Sequence, residues 1–278
     1  MPGPGDSKFL DVRTALKQGQ DLLEQSKISA PRLTAEVLLA YATGSDRAWL
    51  YAHSDEELRE VWWIHYGRYL HQRIQGVPTQ YITGRQEFYG REFRVTPDVL
   101  IPRPETEHVI EAALPHARGR VLDVGTGSGA IAVTLALESK ARIVATDVSF
   151  QALKIARENA QKLGAEIEFV GCDLAGALDA GSFDLIVSNP PYIPDDEGLP
   201  SEVKDHEPHV ALFGGADGLA VYRRLMPEAA RLLKPGGWLV MELGYRSADA
   251  VRSMLDGWSG VEVIADLAGL PRVIKARK

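Results

Sequence analysis

The sequence predicts an α/β fold: a doubly wound, mostly parallel sheet, preceded by a small helical domain and a β-hairpin. Three observations predict it. Residues 9–75 carry helical periodicity with little strand signal; residues 86–99, "QEFYGREFRVTPDV", alternate apolar and polar positions and turn at Gly90; from residue 100 onward, strand-like apolar runs recur with helical runs between the early ones. Strands alternating with helices at this spacing give right-handed parallel crossovers and bring ligands to the carboxyl edge of the sheet. The expected division is a helical domain over 1–85, a hairpin linker over 86–99 and an α/β domain over 100–278.

A length of 278 residues with 45% hydrophobic side chains is ample for packed cores. The formal charge of -7 argues against a protein held mainly by a nucleic-acid backbone. Cys172 is the single cysteine, so an intrachain disulfide and a multi-thiolate zinc site are excluded, as suits a reducing interior. No apolar run approaches the roughly 18 residues of a membrane span, and "MPGPGDSK" lacks the basic and apolar regions of a signal peptide. The expected location is the cytoplasm.

In the helical part, "SDEELREVWWIHYGRYLHQRIQG" is the clearest helix. Ser54 and Glu57 have capping-box spacing, Gly76 and Pro78 supply the stop, and Leu58, Trp62, His65 and Tyr69 fall on one stripe. His65 and the tryptophans Trp49, Trp62 and Trp63 read as core or boundary residues. Acids and bases balance over residues 1–85, so this domain has no electrostatic grip on phosphates and suits recognition of a protein. After the hairpin, "LIPRPETEHVIEAAL" starts a helix at Pro104, with Glu105 and Glu107 near its positive end. Strands follow over 120–125, 142–149, 167–173, 183–189 and 238–244, with two late ones around "VEVIADL" and "RVIKAR" that close as an antiparallel pair.

Between the first of these strands and its helix, "VLDVGTGSGAIA" places Gly125, Gly127 and Gly129 where missing side chains let a ligand approach the backbone. The spacing is G-x-G-x-G after Asp123, not the G-x-G-x-x-G of a pyrophosphate site. Asp123 would repel a diphosphate and accept from a cationic amino group. Asp147 ends the second strand, where a carboxylate binds both hydroxyls of a ribose. Asp173 ends the third, within reach of an adenine amino group, with Leu174 beside it to cover the ring; the alternative for these two is a strand-end cap and a packing residue. An adenosine with an amino-acid tail and no phosphates is S-adenosylmethionine.

At the end of the fourth strand stands "SNPPY". Proline fixes its own φ and holds the residue before it extended, so Asn189 and Pro190 form a stiff pair at the same sheet edge as the glycine loop. The Asn189 side chain and the Pro190 carbonyl are two acceptors suited to one planar NH2 group, and Tyr192 can stack on that plane. A rigid turn would explain the four residues alone; their position after the glycine loop favours a site for N-methylation. Such a nitrogen has a delocalised lone pair, so positioning must do most of the catalysis.

"LIPRPETE", "LDVGTGSGAIA", "ATDVS", "SNPPYI", "EPHVALFGGADGL" and "LKPGGWLVMELG" together resemble the HemK-like release-factor glutamine N5-methyltransferases over about residues 75–278. The resemblance implies a Rossmann-like, seven-stranded class I methyltransferase domain dependent on S-adenosylmethionine, with S-adenosylhomocysteine as product. It implies methylation of the glutamine amide in the Gly-Gly-Gln motif of bacterial class 1 peptide chain release factors. Carried over by motif, Gly125, Thr126, Gly127, Ser128, Gly129 and Asp147 bind cofactor and Leu174 contacts adenine. Asn189, Pro190, Pro191 and Tyr192 hold the glutamine, and Arg103 in "RPETE" lies near the mouth of the site. His206 and His209 lack metal-ligand spacing, and no metal is expected. The alternative is an exocyclic amine of DNA or RNA, adenine N6 or guanine N2, which offers the same planar NH2.

Overall fold

In the computed structural model, which describes residues 10–278, the chain divides into two units: residues 10–83 with 201–206, and residues 84–200 with 207–278. The expectation of a chain start without a leader rests on residues that lie outside the described ones. Among the described residues no helix is long and apolar enough to cross a membrane.

The first unit is helical. Asp11 caps α1 (Val12–Gln25) by accepting from the Thr14 amide, and Asp46 does the same for α3 (Arg47–Ala52) through Trp49; α2 (Pro31–Thr43) lies between them and ends at Gly44. Next come α4 (Glu60–Ile74) and the short α5 (Thr79–Thr83). Val12, Leu23, Leu38, Leu39, Tyr66 and Leu70 form the shared core. Gly19 lets α1 approach α4: a Cβ there would fall 1.8 Å from the Tyr66 hydroxyl. The expected capping box is overturned. Ser54 and Glu57 precede the helix, Glu57 bridges to Asp11, and α4 starts after Arg59 without a side-chain cap. Its buried stripe is accordingly Tyr66, Leu70 and Arg73, while Trp62, His65 and Tyr69 flank it half-buried.

The second unit begins with the antiparallel hairpin β1 (Arg85–Phe88) and β2 (Arg91–Arg94), paired around Gly90. Phe88 and Phe93 pack edge to face and belong to the same core as Val109, Val121 and Leu185. A 3-10 turn at Pro104–Thr106 leads into α6 (Glu107–Ala113). Then β3 (Arg120–Val124), α7 (Ala130–Glu138), β4 (Arg142–Asp147), α8 (Phe150–Leu163), β5 (Ile167–Gly171) and β6 (Phe183–Ser188) alternate. After the short α9 (Ser201–Lys204), which belongs to the first unit, come α10 (His209–Leu212), α11 (Ala220–Leu232), β7 (Leu233–Glu242), α12 (Ala248–Ser253), β8 (Ser259–Ala265) and β9 (Pro271–Arg277).

The seven strands order as β5-β4-β3-β6-β7-β9-β8, parallel from β5 to β7 and antiparallel at β9 and β8. The sheet is the doubly wound one expected, with the late pair antiparallel. The order turns in opposite directions from β3 to β4 and from β3 to β6, a switch point that opens a crevice at their carboxyl ends. One strand is longer than its apolar run: β7 starts at Leu233, which pairs with Phe183, and residues 234–237 bulge out before the register resumes at Leu185 and Trp238.

Candidate active site

At the carboxyl end of β3 the chain passes through Gly125, Gly127 and Gly129 with φ of +74°, +55° and +83°. The glycines do two different jobs. A Cβ on Gly125 or Gly127 would meet nothing within 4 Å, so there the backbone is left bare toward open space; on Gly129 it would press to 3.1 Å from the Ala156 Cβ, so there the glycine lets α7 and α8 close together. The loop is braced from β4: the amides of Gly125 and Thr126 both donate to the Thr146 carbonyl at 2.9 Å. Gly127 donates to Asp147 Oδ2 and Ser149 to Asp147 Oδ1, each at 2.8 Å. Buried Asn159 of α8 donates to the Ser128 carbonyl at 2.8 Å and accepts from the Arg94 amide at 2.7 Å, fixing the hairpin to the loop.

These elements line a cleft, open at its mouth, at the switch point. Its walls gather Gly125, Thr126, Gly127, Ser128 and Asp147 from one side. Asp173, Leu174, Asn189, Pro190, Pro191 and Arg103 complete the set of expected residues that it brings together. Leu174 stands at φ +49°, a conformation that a branched side chain rarely adopts. Asp173 lies two residues beyond β5, and its carboxylate pairs with Arg224, also on the wall.

Asp123, Gly129 and Tyr192 do not line the cleft. Asp123 is fully buried beneath the loop, where Thr126 donates to Oδ2 at 2.6 Å while Oδ1 has no partner among the described residues. Loss of solvent pushes its pKa up to about 7. Through Thr126 it braces the loop from below.

The loop after β6 is anchored through a relay. Asn189 Nδ2 donates to Thr106 Oγ1 at 3.1 Å, Thr106 Oγ1 donates to Glu242 Oε2 at 2.6 Å, and the Tyr192 hydroxyl donates to Glu242 Oε1 at 3.2 Å. Glu242, the last residue of β7, is 2% exposed, and burial pushes its carboxyl up to about 7. Burial also raises the Tyr192 phenol, with the Glu242 charge adding to it. Tyr192 thus anchors the loop by its hydroxyl on a carboxylate, with its ring against Gly244.

From the other side the loop rests on "FGGADG". The Ile193 amide donates to the Leu212 carbonyl at 3.0 Å and that of Gly214 to the Ile193 carbonyl at 2.8 Å. A Cβ on Gly214 would sit 2.7 Å from the Pro191 carbonyl oxygen, and one on Gly218 2.3 Å from that of Tyr192. Arg103 bonds the buried carboxylate of Glu207, which also accepts from the Ile101 amide at 3.3 Å. Thr106, Glu207, Gly214, Gly218 and Glu242 are not among the expected site residues, although each lies in a motif that carries the family resemblance: "LIPRPETE", "EPHVALFGGADGL" or "LKPGGWLVMELG".

Residues 14–84 match the PrmC N-terminal domain, and residues 106–201 match the methyltransferase small domain. The release factor glutamine methyltransferase of Koribacter versatilis (strain Ellin345) is 48% identical over 97% of this chain and 99% of its own length. This chain belongs to the release factor glutamine methyltransferase family. A second relative of that name, from Moorella thermoacetica, is 42% identical over 96% of this chain and 98% of its own. The fold of this release factor glutamine methyltransferase family member is shared with the 16S rRNA N2 G1207 methyltransferase of T. thermophilus, solved with AdoMet and guanosine. That likeness has a TM-score of 0.52 at 21% identity and covers 70% of this chain and 49% of the other.

Proposed function

We propose that this protein transfers a methyl group from S-adenosylmethionine to the side-chain nitrogen, N5, of the glutamine in the Gly-Gly-Gln motif of bacterial class 1 release factors, leaving S-adenosylhomocysteine. One observation carries the reading: the nitrogen of Asn189 is committed to Thr106, which leaves its Oδ1 to accept, next to Pro190 on the wall of the cleft. The Asn189 oxygen and the Pro190 carbonyl take the two N–H groups of a primary amide and turn its lone pair toward the cofactor. Pro191 stiffens the pair, and Tyr192 holds the loop in place.

The cleft suits the cofactor. Bare backbone at Gly125 and Gly127 admits the amino-acid tail, with Thr126 and Ser128 alongside. Each Asp147 oxygen accepts one backbone N–H and keeps a lone pair for a ribose hydroxyl. Asp173 and Leu174 flank the adenine. When bound, S-adenosylmethionine supplies an electrophilic methyl on a good leaving group, so the protein must orient the nitrogen but need not ionise it beforehand. The proton left on the methylated nitrogen goes to water.

The helical unit recognises the release factor as a protein, the hairpin opens the catalytic unit, and Arg103 meets the substrate near the mouth. The reaction belongs in the cytoplasm, where release factors act. The test offers methyl-labelled cofactor to a release factor, to the same factor with its Gly-Gly-Gln glutamine replaced, and separately to DNA and RNA. Label on the intact factor alone is expected. Label on nucleic acid alone would transfer the reading to an exocyclic base amine.

A further inference from the structure

We infer that Glu242 is a positioning residue which, acting through Thr106, determines which end of the Asn189 amide faces the substrate. The inference rests on the reading of Asn189 as an acceptor for the glutamine amide. An asparagine side chain is nearly symmetric in shape, and nothing in its own chemistry decides whether oxygen or nitrogen points into the cleft. What decides it is the direction of the hydrogen bonds behind it.

Thr106 has a single hydroxyl proton and lies buried between Asn189 and Glu242. A carboxylate at Glu242 can only accept, so it takes that proton at 2.6 Å. The Thr106 oxygen is then left with lone pairs, and Asn189 must answer it with Nδ2–H, which sends Oδ1 toward the cleft. The second oxygen of Glu242 takes the Tyr192 proton in the same way. One carboxylate thereby fixes both ends of Asn-Pro-Pro-Tyr, in a place with almost no competing water, since Thr106 is 4% and Glu242 2% exposed.

Protonating Glu242 removes the constraint. A neutral carboxyl can donate to Thr106, which can then donate to Asn189; the amide turns over and sets its NH2 against the NH2 of the substrate. The groups facing Glu242 are Thr106 from the 3-10 turn, Tyr192 from the loop after β6, Glu105, Arg272 from β9, and Tyr222 of α11, whose hydroxyl donates to the backbone oxygen of Glu242 at 2.8 Å. Burial outweighs the Thr106 and Tyr192 bonds, Glu105 adds like charge, and Arg272 is tied to Asp266, so the carboxyl titrates at about 7. Turnover is accordingly expected to rise with pH through neutrality.

The test compares Glu242→Gln, Thr106→Val, their double variant and Thr106→Ser in single-turnover methylation of a release factor, with cofactor affinity measured in parallel. Each of the first two should lower turnover on the order of 10- to 100-fold, as loss of an outer partner that orients a ligating group does. Cofactor affinity should stay within about 2-fold, because Thr106 is a wall residue of the cleft but Gly125, Gly127 and Asp147 are unaltered. The double variant should be little worse than the worse single, because both act on one hydrogen-bonded chain. Thr106→Ser should recover most of the rate, and the neutral pH limb of the wild type should vanish in Glu242→Gln. Additive losses, or a Thr106→Val enzyme with wild-type turnover, would overturn the inference; Thr106→Val and Thr106→Ser decide it even where Glu242→Gln does not fold. A substrate-free readout separates it from the function itself. The Asn189 side-chain amide resonances should shift with a pKa near 7 in the wild type and not in Glu242→Gln, whether or not a release factor is the substrate.

Discussion

Asn189 commits its side-chain nitrogen to Thr106, and in the proposed function its oxygen takes the substrate amide; the two jobs separate under mutation. Asn189→Ala removes the acceptor and leaves the glycine loop and Asp147 untouched. Turnover should fall on the order of 10²- to 10³-fold, comparable to losing one preorganised polar group at a reacting centre. Cofactor affinity, measured by calorimetry, should be unchanged; turnover near wild type would remove Asn189 from the reaction. Tyr192→Phe tests the opposite property. The ring stays and only the bond to Glu242 goes, so a loss of roughly 10-fold is expected if the hydroxyl orients the loop, as partners behind a reacting group do. A loss of nothing would assign Tyr192 to stacking instead.

At the level of elements, the Asn-Pro-Pro-Tyr loop is held less by its prolines than by the seat beneath it. Gly218, at φ +71°, would bring a Cβ to 2.3 Å from the Tyr192 carbonyl oxygen, so Gly218→Ala meets both an unfavourable backbone and a collision with main chain that cannot swing aside. A cost of at least about 2 kcal/mol is expected, read as a lower urea midpoint, together with lost methyl transfer. Gly125→Ala should spare stability more, since its Cβ would enter open space, and should weaken cofactor binding. The contrast shows what the sequence carries. The glycine loop, the strand ends and the antiparallel closing pair are legible because each follows from spacing along one strand or turn. The motifs holding Gly214, Gly218 and Glu242 are visible, but the seat and the relay these residues build are not, because they join segments that lie far apart in the chain and meet only in the folded protein. Locally plausible signals can also lose to tertiary ones: Ser54 and Glu57 have the right spacing for a cap, yet Glu57 bridges to Asp11 instead.

Across the whole molecule, the two raised carboxyls give stability an unusual dependence on pH. Asp123 and Glu242 are both buried in the second unit and both titrate near 7, whereas in an unfolded chain each would titrate near 4. Between those values the folded protein holds protons that the unfolded one has released, so stability falls as pH rises through the window, and the full penalty is reached above about 7. Each group contributes on the order of 3 kcal/mol. Carboxylates held low by partners, such as Glu92 by Lys162 and Asp184 by Lys234, act the other way, but only at the acid end, where they become protonated and their stabilisation is lost. The urea midpoint should therefore be higher at pH 5 than at pH 8, and Asp123→Asn and Glu242→Gln should each flatten that slope. A midpoint that climbs from pH 5 to pH 8 would show that these carboxyls are ionised without cost. The expected slope runs against the expected rate: ionising Glu242 orients Asn189 for transfer while charging a site without solvent. Optimal activity and optimal stability should thus fall on opposite sides of neutrality, as happens where a working site holds an unfavourable charge in place.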